Sequence, residues 1–406
     1  MNAIDIAWNF VFESFYCEKT ELIYDFLVDK QHPATFGLPT PAEIQAQIPN
    51  PCGWGTGMED SVLNGGSALD AVVAEYAATG DARLKETADH LFAGLMRCAS
   101  VSKDPGFIAR GVSPEDEKSY YFNSSRDQYT HWVYAAVRFY DSPLSDEEQR
   151  QDIRRILRKI AEKCERDVRE ENDYNMLRAD GKIGIIGQMC GDIGAHEYLR
   201  LPMFYAAAYY VTKEIHWKEM CDRYLAEGIE KTEPFEPQKH RGYVTLQLQY
   251  SLRLLYDVTE DSSIRERLLI LMNRFADYAE NLAVQKGEML CTRDKEEFCF
   301  RYRPWNQCGD MIYHGEFGGY PYYNPAQSER KENKSFYPPR EVGEAASVAA
   351  ICPHRAVNER VMHVLEKLAD YIDYENHYTY APLLIACGYK LCMENRTVLA
   401  QSSHVI

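Results

Sequence analysis

Between Tyr121 and Trp132 the chain sets Arg126, Asp127, Gln128 and His131 among four aromatic residues, Tyr121, Phe122, Tyr129 and Trp132. A carboxylate, a guanidinium, an amide and an imidazole beside apolar ring faces are the groups that move protons and bind hydroxyl-rich ligands. Ser125 followed three residues later by Gln128 reads as a capping box, which starts a helix at Arg126 and puts Asp127 in its first turn. An acid there also offsets the helix dipole, a stabilisation of roughly 0.3–1 kcal/mol, so its position alone does not make it catalytic.

The elements that must hold this stretch are helices, and they come in pairs. Ile4 to Tyr16 reads as an apolar helix followed, after a turn at Cys17 to Thr20, by a second through Leu22, Ile23, Phe26 and Leu27. A Pro-rich stretch from Gln31 to Gly57 is too irregular for regular structure. Helix, turn and helix then run from Glu59 to Cys98, with Gly80 closing the first in the left-handed conformation and Asp81 capping the second. Further pairs span Arg126 to Arg169, with Ser145 to Glu148 as another capping box, His196 to Gly228, Tyr243 to Val284, and Glu341 to Tyr374. Turns near 18, 80, 142, 212, 259 and 353 make six hairpins, and a helix from Tyr380 to Met393 is left over, free to close the array against the N-terminal helix.

First helices of the pairs are apolar all round, as in Leu201 to Val211, whereas second helices are charged on one side, as in Asp146 to Glu170. Burial on every side belongs to an inner ring and one-sided burial to an outer one. The expected fold is all-α, an (α/α)6 toroid of six helical hairpins spanning 1–406 as one domain. Short turns join inner to outer helices and long loops join outer to the next inner, so every long loop and every inner-helix N-terminus falls on one face. The longest insertion, 285–340, is expected to carry a small β-hairpin, from the alternation of Phe298, Phe300 and Tyr302 with polar residues.

That face collects the candidate site. Its catalytic candidates are Asp127, Asp60 and Glu59; its binding candidates are Trp54, Arg126, Gln128, His131, Trp132, His196, His240, Arg241, Tyr302, Trp305 and Glu344. Dipole compensation explains one or two acids at helix starts but not the Arg, His and Trp that accompany them. Carboxylates around an aromatic-lined cavity suit glycoside chemistry, in which one carboxylic acid protonates the leaving oxygen while a second carboxylate activates water or attacks. Asp127 with one of Glu59 and Asp60 is the expected pair, on adjacent inner helices. Arginines of the face either clasp a substrate carboxylate or neutralise its acids.

Other chemistries find less support. His196-Glu197 is not followed by the second histidine of an HExxH helix, so no metal is expected, and without a phosphate-binding loop no cofactor either. A net charge of −17 without a basic stripe argues against nucleic acid. The apolar run Leu201 to Val211 is too short to span a bilayer. Twelve cysteines at irregular spacing, with no CxxC, read as buried thiols in a reducing compartment. With Asp5 interrupting the first apolar run there is no secretory signal pattern, and a cytoplasmic location is expected.

Met58-Glu59-Asp60-Ser61 entering an inner helix, Tyr76 to Asp81 at a turn, and Ser125-Arg126-Asp127-Gln128-Tyr129 opening the next inner helix resemble the six-hairpin glycosidase superfamily. That superfamily includes unsaturated glucuronyl and rhamnogalacturonyl hydrolases. The resemblance covers most of 1–395 and implies a hydrolase of oligosaccharides or other small carbohydrates, uronic-acid-containing ones among them. It also implies that Asp127 resembles the general acid of the uronyl hydrolases. Similar toroids serve sugar epimerases, for which His131, His196 and His240 would supply a proton-transfer pair, and polysaccharide lyases; a non-catalytic glycan-binding protein is the remaining alternative.

Overall fold

The computed structural model describes residues 2–298, 305–307, 312–313, 321–322 and 337–403. Among them are thirteen α-helices: α1 (Ala3–Ser14), α2 (Pro41–Gln45), α3 (Ser61–Thr79), α4 (Leu84–Ser100), α5 (Arg126–Asp141), α6 (Glu147–Asp167), α7 (Arg200–Thr212), α8 (Ile215–Thr232), α9 (Gly242–Val258), α10 (Ser262–Leu290), α11 (Tyr337–Ile351), α12 (Glu359–Tyr371) and α13 (Ala381–Ser403). Three two-stranded antiparallel ladders complete the regular structure: β1 (Tyr16–Cys17) with β2 (Leu22–Ile23), β3 (Asn175–Leu177) with β4 (Ile183–Gln188), and β5 (Ile312–Tyr313) with β6 (Pro321–Tyr322). None of the described helices is long and apolar enough to cross a membrane.

Helices α3, α5, α7, α9, α11 and α13 pack in that order and α13 returns against α3, so they close an inner ring; α4, α6, α8, α10 and α12 lie outside it. The sequence pattern shows why. Along α6 the buried positions are Ile153, Ile156, Leu157, Ile160, Ala161 and Cys164, one stripe of a 3.6-residue period, whereas α5 buries every residue from Gln128 to Val137. The core fills the layer between the rings, with Trp132, Phe107, Phe139 and Tyr205 among its largest buried side chains. Inner helices meet at close range: a Cβ on Gly66 of α3 would lie 2.9 Å from the His131 carbonyl oxygen of α5, a contact only glycine permits.

The first hairpin is the main correction. Leu22–Ile23 is a strand paired with Tyr16–Cys17, not the start of a second helix, because consecutive buried residues there answer an extended chain. The N-terminal helix α1 is therefore not an inner helix. It buries Ile4, Ala7 and Val11 on one stripe and packs outside α13, which supplies the sixth inner helix. The leftover helix and the N-terminal helix thus form the sixth pair, made from the two ends of the described chain.

Several caps also differ from expectation. Asp146, not Ser145, opens α6, in a reciprocal box with Gln149. Helix α4 starts at Leu84, and the Asp81 carboxylate accepts from the Arg83 backbone N–H instead of capping a helix begun earlier. Gly80 does end α3 in the left-handed conformation, at φ 69°. The insertion holds its β-hairpin as β5 and β6; Phe298 lies in a 3-10 turn, and Phe300 and Tyr302 fall outside the described residues. The Pro-rich stretch includes the one-turn helix α2, opened by Thr40 with Pro41 at its first position.

Towards the end of the ring where the short turns lie, a buried ion network ties inner helices together. Arg138 of α5 pairs with Asp70 of α3 at 2.9 Å and with Glu394 of α13 at 2.5 Å, and Lys390 of α13 pairs with Glu75 of α3. The opposite end, where the long loops gather, carries the acids singled out from the sequence.

Candidate functional site

At the start of α3 the expected cap does not form. Asp60 occupies the N-cap position but makes no side-chain bond to its own helix. The first-turn N–H groups of Val62 and Leu63 go instead to the Arg110 carbonyl and to Gln128 Oε1, while Asp25, buried and contributed by the segment after β2, braces the lead-in: its carboxylate accepts from the Glu59 N–H at 2.8 Å, the Asp60 N–H at 3.3 Å and the Asn64 amide at 3.3 Å. The Asp60 carboxylate is thereby released toward the ring. There it meets Gln128 Nε2 at 3.2 Å, Arg110 at 3.5 Å and the Tyr380 hydroxyl at 3.4 Å.

Glu59 has a poorer set of donors, a single backbone N–H from Gly55 at 3.3 Å. Burial and then the charge of Asp60 push its carboxyl up to about 8, against an opposing pull from Arg110. Asp25 is likewise raised by burial and by its neighbours Asp60 and Glu59. Three carboxyl groups gathered at one helix start cannot all be charged at low cost, and Asp25 and Glu59 are the two driven toward the protonated form.

Asp127 lives under the opposite influence. The expected capping box is absent, since the Ser125 hydroxyl makes no cap bond and Gln128 turns away to bridge to α3, donating to the Glu59 carbonyl and accepting from the Leu63 N–H. Asp127 instead accepts from Arg200 Nη1 at 2.7 Å. Burial is the largest influence and raises its carboxyl, but the charge and hydrogen bond of Arg200 together with the charge of Arg126 outweigh it and hold the group below the usual range. Arg200, almost fully buried at the start of α7, also donates to Gln247 Oε1 at 2.6 Å and lies 2.7 Å from Glu197 Oε2. Glu197 in turn contacts Arg126 Nε at 3.2 Å and His196 Nε2 at 2.8 Å. Burial opposes its charge, yet Arg200 and Arg126 bring it down to about 2.

Around these two centres the remaining candidates sort by position. His131, one turn below Asp127 on the same helix, is buried with Nδ1 3.2 Å from the Ser67 hydroxyl; burial lowers it to about 3, so the ring is neutral. Trp54 is pinned by Asn50, which accepts from its backbone N–H, and its indole lies 6.0 Å from the Arg110 guanidinium. Glu344 is buried against Arg340, whose Nη1 donates to the Tyr380 hydroxyl; burial raises the Glu344 carboxyl and Arg340 partly offsets that. Arg126 donates to the Gln188 carbonyl at 2.6 Å. Arg241 immediately precedes α9, and Trp305 is buried in the insertion. Tyr302 lies outside the described residues.

Three candidates change meaning. Trp132 is a core residue, fully buried, with its indole N–H donated to the Leu95 carbonyl of α4 at 3.1 Å, so it faces the outer ring and not a ligand. His196 and His240 lie with ring centroids 5.2 Å apart, His240 resting on Phe235, which leaves no space for a sugar between them. Burial, and next the nearness of His196, lowers the His240 imidazole.

Asp25, Arg110, Arg200, Gln247 and Tyr380 were not among the sequence candidates. Arg200 carried one readable signal: a cation opening the otherwise apolar helix Leu201–Val211, where the dipole disfavours it unless acids wait nearby. Among the described residues no group of His, Cys, Asp and Glu side chains is arranged to hold a metal.

No protein-family model and no curated protein matches this sequence. Two solved structures resemble it over nearly the whole length. One is an inactive variant of the alpha-1,6-mannanase GH76A of Salegentibacter sp. HEL1_6 in complex with alpha-1,6-mannotriose; it has a TM-score of 0.45 and 9% identity and covers 98% of each chain. The other is a glycoside hydrolase family 76 mannosidase from Bacteroides thetaiotaomicron VPI-5482, with a TM-score of 0.43, 9% identity and coverage of 99% of this chain and 98% of that one.

Proposed function

We propose that this protein is a glycoside hydrolase, with Glu59 as the proton donor and Asp127 as the ionised carboxylate that activates water or attacks the anomeric carbon. The observation that carries this reading is the opposite tuning of two carboxyl groups on neighbouring inner helices, Glu59 pushed up to about 8 and Asp127 held below its usual range. Glycosidic cleavage needs one carboxyl that still holds a proton at the working pH and one that does not. Asp60 is the neighbouring carboxylate that helps to raise Glu59, and Gln128, bonded to Asp60 and adjacent to Asp127 in sequence, ties the two helix starts together.

The substrate is a neutral sugar in this reading, not a uronate. Each of Arg110, Arg126, Arg200 and Arg340 lies against a carboxylate of the chain itself: Asp60, Glu197, Asp127 and Glu344 respectively. A substrate carboxylate would have to displace one of these partners and leave a buried acid unpaired.

The test is release of reducing ends from a panel of neutral and uronate oligosaccharides. Glu59→Gln and Asp127→Asn are each expected to lower kcat by about 10²–10⁴-fold with the helical circular-dichroism spectrum intact. Full activity in either folded variant overturns the assignment. Exchange of solvent deuterium into a free sugar without bond cleavage would move the protein to the epimerases.

A further inference from the structure

We infer that Glu197 and Arg200 form a positioning pair that sets the charge of Asp127, Arg200 drawing the proton off it and Glu197 limiting how far. The inference rests on the hydrolase reading above and concerns the same site.

The geometry is specific. Arg200 presents three nitrogens to three partners from three parts of the ring: Nη1 to Asp127 of α5, Nη2 to Gln247 of α9, and Nε toward Glu197. Arg200 is about 1% exposed and Glu197 about 5%, so water does not dilute the pairing of these two, while the Asp127 side chain, 29% exposed, reaches from them toward the solvent side of the ring. Two hydrogen bonds, to Asp127 and to the fully buried Gln247, and an ion pair at Nε with Glu197 aim the planar guanidinium in a way that an ammonium would not be aimed. Glu197 divides its own charge between Arg200 and Arg126, with His196 on its other oxygen. The two residues act on Asp127 with opposite signs, Arg200 stabilising its charge and Glu197 opposing it. Other titratable groups around Asp127 are Arg126 and His131 of its own helix, with His196 beyond Glu197 and Tyr243, at the start of α9, beside Arg200.

Opposite signs make the test sharp. In the full-length chain, the acidic limb of the kcat/KM pH profile reports protonation of Asp127. Arg200→Gln is expected to move that limb upward by about one to three pH units, the size of effect a close opposite charge has. Arg200→Lys should restore part of the position while leaving kcat depressed. Glu197→Gln should leave the limb at or below its wild-type position, because it removes the opposing charge. A structural role alone would lower activity or stability without moving the limb in opposite directions. The inference is overturned if both variants move the limb the same way or if neither moves it. Should Arg200→Gln fail to fold by circular dichroism, an upward shift in Glu197→Gln overturns the inference and its absence supports it. If Asp127→Asn is inactive while Arg200→Gln keeps the wild-type limb, this inference alone fails; if Asp127→Asn is fully active, the hydrolase assignment fails first.

Discussion

The two ends of the inner ring both set arginine against a buried carboxylate, yet they differ in what the pairing does. At the turn end Arg138 bridges Asp70 and Glu394, tying α3, α5 and α13 together with side chains whose partners are all structural. At the loop end Glu59 is pushed up to about 8 while Glu197 is brought down to about 2 and Asp127 is held low. Buried ion pairs are therefore not themselves a mark of chemistry; neighbouring carboxyls driven in opposite directions are.

The largest effect that could break this contrast is on catalysis. Glu59→Gln should cost kcat about 10²–10⁴-fold without lowering the thermal midpoint, since it removes a strained carboxyl and keeps its shape. Next comes stability at the other end. Arg138→Met leaves Asp70 buried without its partner and should destabilise by about 3–5 kcal/mol in urea unfolding, with kcat within a few-fold of wild type. Loss of activity in proportion to that of Glu59→Gln would show that the two ends are one functional unit.

A third effect separates two acids of the loop end by pH. Glu59 binds its proton more tightly folded, with a value near 8, than unfolded, where the ordinary value is 4.5. Its contribution is fully present below about 4.5 and is lost as pH rises through about 8. Glu197, depressed from 4.5 to about 2, contributes stability above 4.5 that is lost as pH falls through about 2. Urea midpoints measured from pH 5 to pH 9 should therefore fall less steeply in Glu59→Gln than in wild type. The smallest effect sharpens the border between core and site: Trp132→Phe removes the bond to the Leu95 carbonyl and some core volume and should cost about 1–3 kcal/mol, leaving KM unchanged.

How much of this was readable in the sequence depends on which physical rule was in force. All-round apolarity of Leu201–Val211 against the one-sided burial of the 147–167 helix gave inner and outer rings correctly, because burial is what writes that pattern. Short apolar runs carry no such information. Leu22, Ile23, Phe26 and Leu27 fit a helical spacing as well as an extended one, and the strand pairing with Tyr16–Cys17 decided for the latter. Asp60 and Asp127 were visible as acids at helix starts, but the capping boxes drawn around such positions were not reliable guides. Gln128 caps the Leu63 N–H of α3 instead of its own N-terminus, and Asp25, 35 residues before Asp60, holds the turn that leads into α3. Arg200 stayed hidden because its reason for standing at a helix start, the acids Asp127 and Glu197, lies partly on another hairpin.

Pairing α1 with α13 makes the sixth hairpin out of helices separated by almost the entire described chain. Such a contact is the most distant in sequence that the ring contains, and loop-closure entropy must be met before it yields any burial. Tyr380, which reaches Asp60, immediately precedes α13, so an open ring lacks one of the donors that hold the Asp60 carboxylate in place beside Glu59. Turnover would then report closure of the ring, and weakening the α13 seam should silence the protein while most of its helix remains.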